Sequence, residues 1–401
     1  MAPLRGARGL SYRAYQELPA PARALPERVL RVVAERELRR QPWFPGERDH
    51  RWLIGPLNTA GQAQAWAEAA RQQSDVEALS LSAERVATGA SALAYATDVH
   101  LSGRVQARGM GAHRARVLGS GDAPGVTGVL SETGRAVLDD VFRRTILDDL
   151  PALDAVGARA ALVVHGSELR DLHEHAERDP VSPFRGAWDE HWHQLQALVD
   201  RTREVVDAFP GPVLVTTLDM LETVPGSTLL PVAVRVDDFA GAPAALERPV
   251  PVVLHAPTNP RLKATDVIDP LLQRLHEQGR VDYRRLEGVP HAQMPAAVAD
   301  ADIVVDQLAL GNVGVLAVEA MAAGRLVVGH ATPAVRSRAR ELAGVDLPLL
   351  EADPTTFGDV IQEVLEDPGS YQHLARAGAA WARELHDGRR SVEVLREVLG
   401  R

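Results

Sequence analysis

The sequence lacks several features that would indicate a particular class of functional site. It contains no cysteine, which excludes disulfides, thiolate metal ligands and cysteine nucleophiles. No run approaches the roughly 18 apolar residues of a membrane span, and the N-terminus lacks the charged and then apolar pattern of an export signal, so we expect a cytoplasmic protein. The net charge of −10 argues against a nucleic-acid partner, because neutralising phosphates needs a basic surface. A small anionic ligand needs only one local pocket and stays compatible with this charge.

Lysine is almost absent. Of 44 basic residues only one, Lys263, is a lysine, and all the others are arginines. One interpretation is a codon bias that spared a single position by chance. The other is that this position requires a compact ammonium group, because a planar guanidinium is wider and directs its donors differently. We favour the second interpretation, which makes Lys263 a candidate ligand of an anionic group.

The length of 401 residues favours two domains of roughly 150–230 residues, since one core rarely supports more. The predicted units are an N-terminal extension over 1–48, a first domain over 49–236, a linker over 237–249, a second domain over 250–385, and a helix over 386–401 that crosses back to the first domain. The extension contains an amphipathic stretch over 26–40. Its acidic residues favour packing on the body of the protein, with a weak association with a membrane surface as the alternative.

Strand and helix patterns alternate along most of the chain. Residues 51–62 predict a short strand, a polar loop and the start of a helix, which is the opening of a Rossmann-like unit. A helix is predicted over 133–156, ahead of an apolar strand over 160–164. Between 250 and 329 four predicted strands alternate with helices, and this spacing indicates a parallel sheet covered on both faces.

Two segments of the second domain carry the most specific signal. HAPTNPRLKAT covers 255–265, and ADIVVDQLALGNVGVLAVEAMAAG covers 301–324. The second segment combines a strand, a glycine-containing loop and a helix that carries EAMAAG. Both segments resemble the donor-site motifs of retaining GT-B glycosyltransferases of the family-four type.

The resemblance implies an α/β protein of GT-B type, in which two Rossmann-like, doubly wound parallel-sheet domains face a cleft. It implies a retaining transferase that moves a sugar from a nucleoside-diphosphate sugar, with UDP or GDP expected, to a hydroxyl of a small-molecule or lipid-linked acceptor. No metal and no cofactor are implied, since a lysine and a helix N-terminus take their place. A sugar-nucleotide epimerase of the same fold and a non-catalytic nucleotide-sugar-binding partner of another transferase are the alternatives.

The glycine-containing loop is the predicted binding site of the diphosphate. Gly311 and Gly314, with Asn312 and Val313 between them, let the backbone approach a ligand closely. The loop opens onto a helix N-terminus, where free N–H groups and the helix dipole favour an anion. Glu319 lies five residues past Gly314 and is expected to accept hydrogen bonds from a ribose diol.

Lys263 and Arg261 follow a predicted strand end and are expected to neutralise the same diphosphate. Positive charge there stabilises the anion that leaves during glycosyl transfer. Position 311 departs from the family, whose members often carry a glutamate there, eight positions before the one on the helix, in contact with the hydroxyls of the donor sugar. Here backbone amides around Gly311 and Asn312 are expected to face the sugar.

In the first domain HGSELR covers 165–170 and resembles the HGSDIR of some family members. The resemblance implies that His165 faces the donor across the cleft and acts with Lys263 and Glu319 in catalysis. A histidine that is simply hydrogen-bonded within the structure is the alternative. Ser167 and Gly61 are expected to contact the donor.

Two further histidine pairs suggest a metal at first sight, His173 with His175 and His191 with His193. Alternate residues on a helix do not share a face, and no third ligand is evident. We therefore interpret all four as solvated helix residues.

Overall fold

The structure, a computed structural model, describes residues 20–46, 48–84, 95–120, 123–239 and 241–400, with side chains from residue 27. These residues form two separate parallel sheets with helices packed against them. This arrangement confirms the predicted α/β class with two parallel-sheet units. Residues 1–19 of the predicted N-terminal extension lie outside the described residues.

The first sheet has seven parallel strands in the order β3-β2-β1-β4-β5-β6-β7. Its strands are β1 (His50–Gly55), β2 (Val76–Ala83), β3 (Val99–Leu101), β4 (Gly128–Glu132), β5 (Arg159–Val164), β6 (Val213–Val215) and β7 (Thr228–Leu229). The helices around it are α1 (Ala20–Arg39), α2 (Gln62–Arg71), α3 (Gly103–Arg108), α4 (Met110–Leu118), α5 (Ile146–Ala155), α6 (Leu172–Arg178), α7 (Glu190–Ala208) and α8 (Met220–Thr223). The chain order reverses at β1 and β4, and the crevice at the carboxyl ends of such strands is the usual place for a ligand.

Helix α5 is shorter than the sequence predicts. The predicted helix over 133–156 begins only at Ile146. Thr133 and Gly134 have φ of 56° and 65°, a left-handed conformation that cannot continue a right-handed helix. Asp148 then accepts a hydrogen bond from the N–H of Thr145 at 2.9 Å, which caps the true start.

Helix α1 packs on the first domain through Ala34 and Leu38, which are buried in its core. Four larger aliphatic side chains of the same helix are exposed: Val29, Leu30, Val32 and Val33. At Ala34, helix α1 lies close to Gly109, which joins α3 and α4. A Cβ added at Gly109 would lie 3.3 Å from the methyl group of Ala34. The small side chain of Ala34 allows the helices to approach this closely.

The second sheet has five parallel strands in the order β12-β11-β10-β8-β9. Its strands are β8 (Val252–His255), β9 (Asp282–Arg285), β10 (Ile303–Val305), β11 (Leu326–Gly329) and β12 (Leu350–Glu351). The helices of this part are α9 (Thr265–Glu277), α10 (Met294–Ala299), α11 (Val315–Ala322), α12 (Pro333–Ala343), α13 (Phe357–Glu366), α14 (Gln372–His386) and α15 (Arg389–Leu399). Short 3-10 turns occur at Thr59–Gly61, Val236–Phe239, His291–Gln293 and Pro368–Tyr371.

Helix α15 leaves the second domain and covers the first sheet. Val392 and Leu395 are buried in one cluster with Trp52 and Trp66, and Arg396 forms an ion pair with Asp75. The segment that leads from the first sheet to the second is also fixed to the end of α14, because the N–H of Val234 donates to the carbonyl of His386 at 2.8 Å. The two domains are therefore tied together by two chain crossings.

Within the described ranges, none of the helices combines the length and the hydropathy needed to cross a membrane. The same ranges contain no group of three or more histidine or acidic residues arranged to hold a metal ion.

Candidate functional site

The two donor-site motifs of the sequence meet at one edge of the second sheet. Lys263 lies in the loop that follows β8, and the loop over 311–314 follows β10 and opens α11. Strands β8 and β10 are parallel neighbours, with Val305 paired to His255. Because the carboxyl ends of parallel strands lie at one edge, the loops that follow them come together.

A buried carboxylate joins these two loops. Asp306, one residue past β10, is bonded to the ammonium of Lys263, and its other oxygen accepts from the N–H of Gly314 at 3.2 Å. The side chain of Asp306 is 1% exposed and that of Lys263 is 13% exposed. A Cβ at position 314 would lie 2.9 Å from the carboxylate, so the close approach requires glycine. The only lysine and the N-terminus of α11 therefore converge on one anionic group.

Glu319 lies one turn along α11 and faces the interface between the domains. Its carboxylate is 2.8 Å from Nε2 of His291, and the side chain is 11% exposed. The ring of His291 packs against Tyr95 of the first domain, with 4.8 Å between ring centroids. Burial, and after it the charge of Glu319, raises the pKa of Tyr95 to about 12. Gly61, whose added Cβ would lie 2.7 Å from the Tyr95 ring, lines the same cavity of about 90 Å³.

Gly311 has no room for a side chain. Its φ is +64°, and a Cβ there would lie 2.5 Å from Cγ2 of Thr332 and 3.0 Å from Oδ2 of Asp179. Asp179 belongs to the first domain and pairs with His330 at 3.2 Å. The carboxylate at this point of the cleft therefore comes from the opposite domain, while the loop supplies only backbone.

His330 bridges two carboxylates, Asp179 of the first domain and Glu351 of the second. Burial acts to lower the pKa of His330, but the hydrogen bonds to Asp179 and Glu351 outweigh it and raise the pKa to about 9. Burial acts to raise the pKa of Asp179, but the bond to His330, the bond to the N–H of Val181 and the charge of His330 together lower it. At neutral pH the bridge is an imidazolium between two carboxylates.

Asn312 is buried and is held by the first domain. Its Nδ2 donates to Oδ1 of Asp219 at 2.9 Å, and Oδ2 of Asp219 accepts from Nε and Nη2 of Arg170 at 2.8 and 2.6 Å. Next to it, Nε2 of His175 donates to the carbonyl of Leu310 at 3.3 Å. The loop over 310–312 is thus positioned by contacts from the opposite domain.

His165 is nearly buried at the end of β5. Its Nε2 lies 3.1 Å from Oε1 of Glu132, and its ring stacks on Trp66 at 5.9 Å. Burial acts to lower the pKa of His165, but the bond to Glu132 and the charges of Glu168 and Glu132 together raise it. The fully buried Glu132 also accepts from the N–H groups of Asn58 and Thr59 at 2.6 and 2.9 Å. One carboxylate therefore fixes both His165 and the loop that leads to Gly61.

Arg261 points away from Lys263. Its guanidinium pairs with Asp189 at 2.8 Å and lies 4.2 Å above the ring of Trp192, both in the first domain. Its role as a diphosphate ligand remains a prediction. Ser167 is exposed and Val313 is half-buried.

No family model matches the sequence, and no curated protein matches it. Solved structures do match across both domains. Sucrose-phosphate synthase from Thermosynechococcus elongatus aligns with a TM-score of 0.57 and 12% identity over 87% of this chain and 98% of its own. Anabaena HepE, solved with UDP and glucose, aligns with a TM-score of 0.55 and 13% identity over 87% and 98%. A glycosyltransferase from Rickettsia africae aligns with a TM-score of 0.53 and 11% identity over 88% and 99%.

The chain has the GT-B fold. In this GT-B arrangement Lys263 and Gly314 both bond to Asp306, and Glu319 lies further along the helix that Gly314 opens. Five residues that contact these predicted residues or their loop were not predicted from sequence: Asp306, His291, Tyr95, Asp219 and Asp179. A signal for the first existed, because Asp306 is a charged residue directly after a buried apolar strand.

Proposed function

We propose that this protein is a retaining glycosyltransferase that uses a nucleoside-diphosphate sugar. The observation that carries the proposal is the convergence of Lys263 and the N–H of Gly314 on Asp306. An ammonium has three N–H donors, and Asp306 uses one of them. The remaining donors of Lys263 and the N-terminus of α11 suit the two phosphates of a nucleotide diphosphate.

Glu319 fits the recognition of the ribose in this proposal. Glu319 lines an interdomain cavity together with Gly61 and Tyr95 of the first domain, and a carboxylate accepts hydrogen bonds from two adjacent hydroxyls. The contact with His291 holds the carboxylate in place. UDP is the first nucleotide to test, since HepE was solved with UDP-glucose, and GDP is the second.

The proposed reaction transfers the sugar between two oxygens without a protein nucleophile. The bond between the anomeric carbon and the phosphate oxygen breaks, and the acceptor oxygen bonds to that carbon on the same face. The departing phosphate oxygen takes the proton of the acceptor hydroxyl, so that charge and atoms balance. Lys263 and the helix N-terminus stabilise the negative charge that develops on the leaving group. The raised pKa of His165 suits a protonated donor to a sugar hydroxyl.

Turnover separates this function from its alternatives. UDP-glucose and GDP-mannose are incubated with the protein, with and without a panel of sugar and lipid-linked acceptors. Consumption of the donor that depends on an acceptor, with retention at the anomeric carbon, supports the transferase. Isomerised donor without any acceptor indicates an epimerase, and binding without turnover indicates a partner protein.

Binding is tested separately by calorimetry with UDP. The comparison is between Asp306→Asn and the double variant Asp306→Asn with Lys263→Ala, since removing Lys263 alone leaves a buried carboxylate unpaired, which costs about 3–5 kcal/mol of stability. We expect the single variant to bind UDP and the double variant to lose at least tenfold in affinity. Equal affinities of the single and the double variant for UDP would show that Lys263 does not bind the diphosphate.

A further inference from the structure

Helix α1 exposes more large hydrophobic side chains than any other described helix. Seven such side chains are exposed within the described ranges, and four of them belong to α1: Val29, Leu30, Val32 and Val33. Their exposed fractions lie between 40% and 55%. The other three occur singly in the sequence, at Val156, Val250 and Val345. Single exposed apolar residues are usual on a protein surface, whereas a contiguous group indicates a site of interaction.

The side of α1 that faces away from the first domain combines these aliphatic residues with arginines. Positions three, four and seven apart share one face of a helix. The outward face of α1 therefore consists of Val29, Val32, Val33 and Arg36, with Arg40 one residue past the helix end. The opposite face packs on the first domain, so the outward face is free to contact a partner.

The arginines of the outward face lack acidic partners. Arg36 and Arg40 are exposed, and neither forms an ion pair with any of the described residues. Together with Arg104 of α3 they border a surface depression of about 340 Å³. The one acidic residue at this depression, Glu37, lies 3.5 Å from Arg104. Two guanidiniums are thus left uncompensated, and a guanidinium binds phosphate oxygens in a bidentate geometry.

The charge of the chain is distributed unevenly around this helix. Residues 1–40 contain nine arginines, four glutamates and no other charged residue, which gives a net charge of +5. The remaining 361 residues carry −15, since the whole chain carries −10. A negatively charged surface attracts the first segment and repels the rest of the protein. Such a surface would therefore be contacted through α1.

An anionic bilayer matches both properties of the outward face. In a helix that lies in the plane of a membrane interface, aliphatic side chains enter the boundary between headgroups and acyl chains. The methylene stems of arginines reach from this level up to the phosphates. A second copy of the chain would bring two segments of charge +5 together, which is unfavourable. A nucleic acid would pair with the arginines but leave the valines in water.

We propose that the outward face of α1 is a docking surface for a membrane that contains anionic lipids. The valines enter the interface, and the guanidiniums of Arg36 and Arg40 bind lipid phosphates. Binding is reversible and sensitive to salt, because a short aliphatic patch and two arginines form a weak anchor. The proposal does not depend on the transferase reaction.

The test is co-sedimentation of the full chain with vesicles in about 0.1 M salt, where charges act over about 10 Å. One set of vesicles contains phosphatidylcholine and phosphatidylglycerol in equal parts, and the other contains phosphatidylcholine alone. We expect partitioning to the anionic vesicles to be at least tenfold stronger. It should fall at least tenfold in about 1 M salt, where charges act over about 3 Å. Absence of binding, or equal binding to both sets of vesicles, overturns the proposal.

Two double variants test the outward face itself. Val32→Gln with Val33→Gln removes aliphatic side chains, and Arg36→Gln with Arg40→Gln removes charge. All four side chains are exposed, so the fold should persist, and circular dichroism checks this. Each double variant should weaken partitioning to the anionic vesicles at least fivefold.

Matched controls make the same changes elsewhere on the surface. They are Val156→Gln with Val345→Gln, and Arg201→Gln with Arg376→Gln, all at exposed positions. Each control should change partitioning less than twofold, and losses equal to those of the helix variants overturn the proposal. Self-association in place of vesicle binding, measured by light scattering and abolished by Val32→Gln with Val33→Gln, would assign the face to a second copy and likewise overturn it.

Discussion

The side-chain amide of Asn312 in the second domain donates a hydrogen bond to Asp219 of the first domain over 2.9 Å. Asp219 is itself held by Arg170, which is buried at the end of β5. The loop that opens α11 thus has its geometry set by the opposite domain.

The first prediction concerns this contact. Asp219→Asn removes the charge that Arg170 and Asn312 share, and a hydrogen bond to a charged group contributes about 1.5–3 kcal/mol. We expect the affinity for UDP, measured by calorimetry, to fall roughly tenfold, which corresponds to about 1.4 kcal/mol. Asp75→Asn is the matched control, since it breaks an ion pair between α15 and the first domain far from the loop. Equal losses in both variants would mean that the loop is not specifically affected.

The second prediction separates two costs of replacing a glycine by alanine, which are backbone strain at a positive φ and steric overlap of the added methyl group. Gly311 and Gly344 both have a positive φ, +64° and +71°, but only Gly311 has neighbours where a Cβ would stand. Gly344→Ala should cost about 1 kcal/mol, from the left-handed conformation alone. Gly311→Ala should cost about 2–4 kcal/mol, because overpacking against Thr332 adds to the strain. Unfolding in urea measures the loss in free energy of unfolding for both variants. Similar losses would show that Thr332 and Asp179 move aside for the added methyl group at little cost.

The third prediction is a dependence of stability on pH. The pKa of His330 is about 9 in the folded protein, against about 6.5 in an unfolded chain. The folded state therefore holds the proton more tightly, so the bridge stabilises fully below about pH 6.5 and the stabilisation is lost as the pH rises through about 9. The comparison is the free energy of unfolding of wild type and His330→Gln between pH 6 and 10. The wild type should be more stable by on the order of 2 kcal/mol at pH 6, and a difference independent of pH would contradict the assignment.

The fourth prediction addresses the single lysine. Lys263→Arg keeps a positive charge next to Asp306, so the free energy of unfolding should stay within about 1 kcal/mol of the wild type. The wider guanidinium directs its donors differently, and we expect the affinity for UDP to fall at least tenfold. Unchanged affinity would favour the interpretation that the lysine survived by chance of codon use.

Much of the second domain could be predicted from sequence because its signals are local. Strands β8, β10 and β11 are apolar and alternate with helices along the chain, and the GNVG loop precedes its helix directly. The site partners could not be predicted, since Tyr95 and His291 or Asp179 and His330 meet only through the packing of two domains. Arg261 illustrates this limit of sequence-based prediction. It lies two residues from Lys263, which suggests a shared ligand, but its guanidinium packs on the ring of Trp192.

In the first domain the errors have a backbone origin. The side-chain pattern alone predicts a helix over residues 133–145. In the structure Thr133 and Asp140 adopt positive φ, and the amino-acid composition does not reveal this backbone conformation. In α1 the small Ala34 is buried against the first domain, while the larger Val29 and Leu30 are exposed. Burial follows the geometry of contact as well as hydrophobicity.

The return of α15 to the first sheet has a consequence for biosynthesis. Trp52 and Trp66 are made early, but Val392 and Leu395, which complete their cluster, are made more than three hundred residues later. Domains otherwise fold as they leave the ribosome, the N-terminal one first. Helix α2 covers part of this face of the first sheet from the start, but the part that α15 covers stays exposed until residues 389–399 have been made, so the core of the first domain is completed only after the second domain has been synthesised.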